Sequence, residues 1–261
     1  MVFRLGLIQM DIVWANPEEN LAKAGKMIHS AASRNCSMVV LPELWSTALC
    51  GSRIAELAAD TGERVRETIR EWATRFEMVV AAGSIAWSEG EDRVSNLSMI
   101  IDTEGDVAGW YKKAHLFRPM QEQKYVVPGD GFSVVKTSLG VLGPLICYDI
   151  RFPEAARKLT LSGADMLVVP ANFPDPRRDV WRTLLIARAM ENQVFVCGVN
   201  RIGQDPKYSY FGNSMVIDPG GQVLVEGNRE EELLVADIDL TRLNEVRKAL
   251  PALSDRRPDL Y

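Results

Sequence analysis

The chain has 261 residues, 47% of them apolar and 25% charged, with a net charge of −5. That composition suits a globular protein with a full core and argues against a nucleic-acid partner, whose phosphates favour a basic face. No stretch approaches ~18 consecutive apolar residues, so no membrane-spanning helix is expected. The four cysteines show no C-x-x-C spacing and the chain has two histidines, which argues against structural zinc.

Residues 1–8 run directly into a strand pattern instead of a secretory leader, so a cytoplasmic location without disulfides is expected. Strand-like runs follow at 3–9, 38–41, 78–84, 97–102, 107–111, 132–136, 141–147, 166–170, 194–199, 214–218 and 233–237. Asn16-Pro17-Glu18-Glu19 supplies a cap, a first-turn proline and an acid ahead of Leu21, Ala24, Ile28 and Ala31 at helical spacing. Val65, Ile69, Trp72 and Phe76 form a second amphipathic stripe, and Val180, Leu184, Ala187 and Glu191 a third that Arg178-Asp179 opens. Trp72, Trp181, Cys36 and Cys197 read as core, Cys50 as a loop thiol. Turns with glycine occur at 103–106, 128–131 and 219–221, the last two framing hairpin-like excursions. With no repeat, linker or low-complexity segment, residues 1–261 read as one α/β domain with helices outside mixed sheets.

Three segments carry chemistry. In Ile146-Cys147-Tyr148-Asp149-Ile150-Arg151-Phe152-Pro153-Glu154 a cysteine ends an apolar run just before a helix whose first position suits Pro153. A side chain at such a corner projects beyond the sheet, near backbone N–H groups that receive negative charge. In Val39-Val40-Leu41-Pro42-Glu43-Leu44-Trp45 a carboxylate follows a strand, where it must be solvated, paired or catalytic. In Tyr111-Lys112-Lys113-Ala114-His115-Leu116-Phe117 a lysine leaves a strand for an apolar-aromatic cluster. Each alone has an ordinary structural explanation; the order Glu, Lys, Cys is what singles them out.

Together these motifs resemble the nitrilase superfamily of carbon–nitrogen hydrolases, and the likeness runs from Leu5-Gly6-Leu7-Ile8-Gln9 to Asp255-Arg256-Arg257-Pro258-Asp259-Leu260-Tyr261. The resemblance implies a four-layer α-β-β-α sandwich, no cofactor and no metal. It implies a homodimer or larger homo-oligomer, with the tail from about 240 to 261 packing on a neighbouring subunit. It makes Glu43 the general base, Lys113 the stabiliser of the tetrahedral intermediate and Cys147 the nucleophile. The backbone N–H of Tyr148 is a second oxyanion donor, and Glu122 a fourth acidic position beside the triad. His115 is read as positioning its loop, and Asp149 and Arg151 as bracing the nucleophile turn by an ion pair or hydrogen bonds.

His115-Leu116-Phe117-Arg118 with Glu122 and Tyr125, and Asn172-Phe173-Pro174-Asp175-Pro176-Arg177 with the 187–193 segment, resemble bacterial omega-amidases among the amidase branches. Phe173 departs from the tryptophan more usual there. The expected substrate is a small-molecule ω-amide of a dicarboxylic acid, its carboxylate held by Arg177 or Arg118, with Asn172 and Phe173 lining the site. The alternatives are an N-carbamoyl amide hydrolase with the same triad and a catalytically silent scaffold.

Overall fold

The computed structural model describes residues 1–91 and 93–260. Two sheets carry the fold. In the first, β1 (Val2–Gln9), β2 (Met38–Val40) and β3 (Val79–Ala81) run parallel at the centre, flanked by β4 (Ile85–Ser88), β5 (Val94–Ile101) and β6 (Val107–Lys112). The second sheet places β7 (Val135–Thr137), β8 (Gly140–Pro144), β9 (Met166–Ala171), β10 (Phe195–Asn200), β13 (Met215–Ile217) and β14 (Val223–Glu226) in that order, with β8, β9 and β10 parallel. A hairpin of β11 (Ile202–Gln204) and β12 (Ser209–Phe211) stands apart, and β15 (Glu232–Asp239) returns antiparallel to β1.

The layers follow from which face each side chain takes. On β1 and β2, Leu5, Leu7, Met38 and Val40 meet Met166, Val168, Phe195 and Cys197 of the other sheet. The alternate residues Ile8, Val39 and Leu41 pack on Ile28 of α1 (Pro17–Ser33) and Val65 and Ile69 of α2 (Ile54–Phe76). On the far side, Leu167, Val169 and Val196 pack on Leu159 of α3 (Pro153–Leu161) and Trp181 and Leu185 of α4 (Arg178–Asn192). The result is the α-β-β-α sandwich. Because both faces of each sheet are covered, the central strands read as continuous apolar runs.

Asn16 caps α1 as expected, its side chain accepting from Glu19 N at 3.3 Å, and Pro153 takes the first turn of α3. The 141–147 run stops as a strand at Pro144, since Cys147 opens a short 3₁₀ turn, Cys147–Arg151. Residues 128–131 do not close a hairpin; they end a long connection from β6 to β7, whereas 219–221 do join β13 to β14. Cys50 lies in a loop, as expected, but is buried there, and burial pushes its thiol up to about 11. The tail begins as α5 (Thr241–Ala249), whose Leu243 enters the chain's own core while Arg247 donates to Gln193 O and Gln193 Nε2 donates to Leu250 O. Among the described residues no helix is long and apolar enough to cross a membrane.

Candidate active site

Four connections, each leaving the C-terminal end of a strand, deliver the site. Glu43 follows β2, Lys113 follows β6, Cys147 follows β8 and Asn172 follows β9. Ligand sites of open α/β sheets form at such ends. The Glu43 loop is held by the chain leaving β3: Ser84 Oγ accepts from Leu44 N at 3.0 Å, Trp45 Nε1 donates to Ala82 O at 2.8 Å, and Ser84 N donates to Pro42 O at 3.1 Å. Gly83 makes that approach possible. It has φ +61°, and a Cβ there would lie 2.0 Å from Pro42 O. Gly129 does the same beneath Lys113, donating to its carbonyl at 2.9 Å where a Cβ would meet Lys112 O at 2.3 Å.

The four chemical side chains are buried together: Glu43 3%, Lys113 2%, Glu122 2% and Cys147 6% exposed. Lys113 Nζ donates to Glu43 Oε1 at 2.7 Å and to both oxygens of Glu122 at 2.9 and 3.0 Å. Asn96 Nδ2 bridges the same carboxylates, at 2.9 Å to Glu43 and 3.2 Å to Glu122. Backbone N–H groups complete the shell, from Asn172 to Glu43 Oε2 and from Phe117 to Glu122 Oε2, each at 2.7 Å. Such saturation is what lets two carboxylates sit out of water.

Burial works against charge on Lys113, but Glu122 and Glu43 outweigh it and hold the ammonium protonated well above its usual range. Burial, then the Glu43 charge, drives the Cys147 thiol well above the usual thiol range, with Lys113 pulling it down. The resting group is therefore a thiol in contact with a carboxylate, and a thiol so held becomes a good nucleophile only by giving up its proton. Cys147 itself has φ +48°, a left-handed conformation that for a non-glycine residue costs about 1–3 kcal/mol and persists where the surroundings enforce it.

Asp149 supplies much of that enforcement. Fully buried, it accepts from Ile146 N (2.8 Å), Tyr111 OH (2.7 Å) and His115 N (3.1 Å), and contacts His115 Nδ1 at 2.8 Å. It thus ties the segment bearing Lys113 to the turn bearing Cys147. Of the two expected braces, an ion pair or hydrogen bonds, the turn uses the hydrogen bonds of Asp149; the Arg151 guanidinium lies over the rings of Tyr148 and Phe173, at 5.9 and 5.5 Å. Asp149→Asn puts an amide donor among N–H groups that already donate there, so Tm should fall by roughly 5 °C in differential scanning calorimetry. An unchanged Tm would mean that the clamp carries no load.

Two small cavities meet at Cys147. One is lined by Glu43, Lys113, Glu122 and Asn172; the other by Tyr148, Arg151, Phe173, Pro174 and Arg177; Phe117 borders both. Arg177 thus stands at the site, its guanidinium 5.9 Å from the Phe117 ring centre. Arg118 does not: it begins a 3₁₀ turn, is exposed, and lines a neighbouring cavity with His115, Tyr148 and Phe152. Arg151 and Asn96 are the two site residues that sequence reasoning missed in this role. Asn96 lies in the fully buried strand β5, just ahead of the 97–102 run read from the sequence, and no local signal marked it.

A sandwich whose strand ends gather a buried Glu–Lys–Cys cluster has the layout of the nitrilase superfamily. The chain belongs to the carbon–nitrogen hydrolase family, whose model matches residues 4–248. It is 42% identical over 266 aligned residues to the 2-oxoglutaramate amidase of Bacillus subtilis, with all of both chains covered. It is 33% identical to omega-amidase NIT2 of Mus musculus, covering 99% of this chain and 96% of that one. The crystal structure of a carbon–nitrogen hydrolase from Helicobacter pylori superposes with a TM-score of 0.94 at 27% identity, covering 100% and 97% of the two chains.

Proposed function

We propose that this enzyme hydrolyses the C–N bond of a small ω-amide of a dicarboxylic acid, of the 2-oxoglutaramate type, to a carboxylate and ammonia through a thioester on Cys147. The observation that carries the substrate reading is the pairing of compartments at Cys147: base and ammonium on one side, two guanidinium groups on the other. The names of the amidase relatives support it.

In this reading Glu43 takes the thiol proton as Cys147 attacks the amide carbon, and returns it to the departing nitrogen. Lys113 and the Tyr148 N–H receive the oxyanion, each well-placed donor contributing roughly 3–4 kcal/mol. Water activated by Glu43 then cleaves the thioester. Glu122 and Asn96 hold Lys113 and Glu43 in register. Arg177 and Arg151 bind the far carboxylate, Phe173 forms the wall beneath Arg151, and Asn172 fixes Glu43 through its N–H. We further propose that the enzyme works in the cytoplasm as a homo-oligomer; Leu161, Val180 and Met190 of the outer helical layer are exposed apolar side chains that a partner could cover.

The test is ammonia release over ω-amides, neutral aliphatic amides and N-carbamoyl compounds. Anionic ω-amides should be preferred. Arg151→Met and Arg177→Met should each raise KM for the anionic amide by about one order of magnitude or more, a charged hydrogen bond being worth about 1.5–3 kcal/mol, and change a neutral amide little. Equal turnover of neutral and anionic amides by the wild type would refute the substrate assignment.

A further inference from the structure

A further cavity shares wall residues with the base compartment and has no part in the reaction as derived. It holds about 160 Å³ and is walled by Trp14, Cys50, Tyr125, Asp205 and Tyr208, whereas the compartment at Glu43, Lys113 and Cys147 holds about 10 Å³. Leu49 and Met120 line both.

The chemistry says which part of the substrate the small compartment receives. The leaving nitrogen must accept the proton that Glu43 took from Cys147, so it sits on the Glu43 side while the acyl chain extends toward Arg151 and Arg177. Asn172 lines this side, and its buried Oδ1 has no partner within the protein, leaving an acceptor for the amide N–H. About 10 Å³ is the space of one water molecule. The compartment toward Arg151 and Arg177 is equally small in this structure, so what sets the amine side apart is its wall: Leu49 and Met120 line both this compartment and the outer cavity, where an N-alkyl group would have to pass.

We propose that Leu49 and Met120 form a partition that limits the leaving group to ammonia, and that the cavity beyond them is a latent pocket for a small apolar amine substituent. The proposal rests on the assignment of Glu43 as the base. With an N-alkyl amide the S–C bond would form as the C–N bond breaks, Glu43 would deliver the thiol proton to nitrogen, and a primary amine would leave in place of ammonia. Water would then hydrolyse the same thioester, with no other reactant required. Trp14, Tyr125 and Tyr208 make the outer pocket hospitable to an apolar group.

The experiment compares kcat/KM for a primary ω-amide and its N-methyl and N-benzyl counterparts in wild type, Leu49→Ala, Met120→Ala and Trp14→Ala. Wild type should hydrolyse the primary amide and handle the N-methyl amide at least about tenfold less well. Leu49→Ala or Met120→Ala should raise the N-methyl to primary ratio about tenfold or more, and Trp14→Ala, which borders only the outer pocket, should not move it for N-methyl. Should Leu49→Ala fail to fold, Leu49→Val is read the same way with a smaller rise. An unmoved ratio in the folded partition variants, or an N-methyl amide turned over by wild type as well as the primary one, overturns the partition. Loss of all primary-amide turnover in wild type would instead refute the proposed function.

Discussion

Cys147→Ala is expected to reduce turnover below about a hundredth of wild type, because no other group in the cluster can form the acyl intermediate. The loss should come without unfolding. Cys147 contributes a single sulfur to a turn already fixed by Asp149, the Ile146 N–H and the start of α3. A folded variant that retained activity, in a preparation free of wild type, would rule out covalent catalysis at this position.

Glu43→Gln and Lys113→Met are each expected to lower kcat by at least ~100-fold, the first by removing the base and the second an oxyanion donor. The two differ in what else they change. Glu43→Gln keeps a side chain of the same shape next to Lys113. Lys113→Met leaves two buried carboxylates facing each other, and breaking a buried pair in this way costs about 3–5 kcal/mol. Its thiol should also alkylate only at higher pH than in wild type, since the Lys113 charge pulls the Cys147 pKa down and its removal lets burial and Glu43 raise it further. Glu122→Gln should impair turnover more mildly. Effects confined to KM would show that these groups only bind substrate.

The strands were legible in the sequence to the degree that they are buried. β1, β9 and β10 are apolar over nearly their whole length and were found close to their true bounds. β4, β11 and β14 are short and half-exposed, so their patterns merge with the loops around them. For α2 the stripe read from the sequence begins at Val65; the turns from Ile54 also pack inward, but largely through the small or polar Ala58, Thr61 and Gly62, which give a weaker apolar signal. The motifs marked Glu43, Lys113, Glu122, Cys147 and Asn172, and the structure brings these five together. It separates Arg118 from Arg177, because a 3₁₀ turn directs Phe117 and Met120 to the site and leaves Arg118 in solvent. Asn96 and Arg151 depend on how β5 and the nucleophile turn pack against other segments, which local sequence does not encode.

The central claim is a thioester on Cys147, and it can be weighed directly. Wild-type enzyme mixed with excess 2-oxoglutaramate and quenched rapidly in acid should show, by intact and peptide mass spectrometry, a species heavier by the substrate less ammonia. The added mass should lie on the peptide containing Cys147, accumulate further at low pH where hydrolysis slows, and be absent from Cys147→Ala. Full ammonia release with no adduct at any quench time, or an adduct on Cys36, Cys50 or Cys197 instead, would contradict the account.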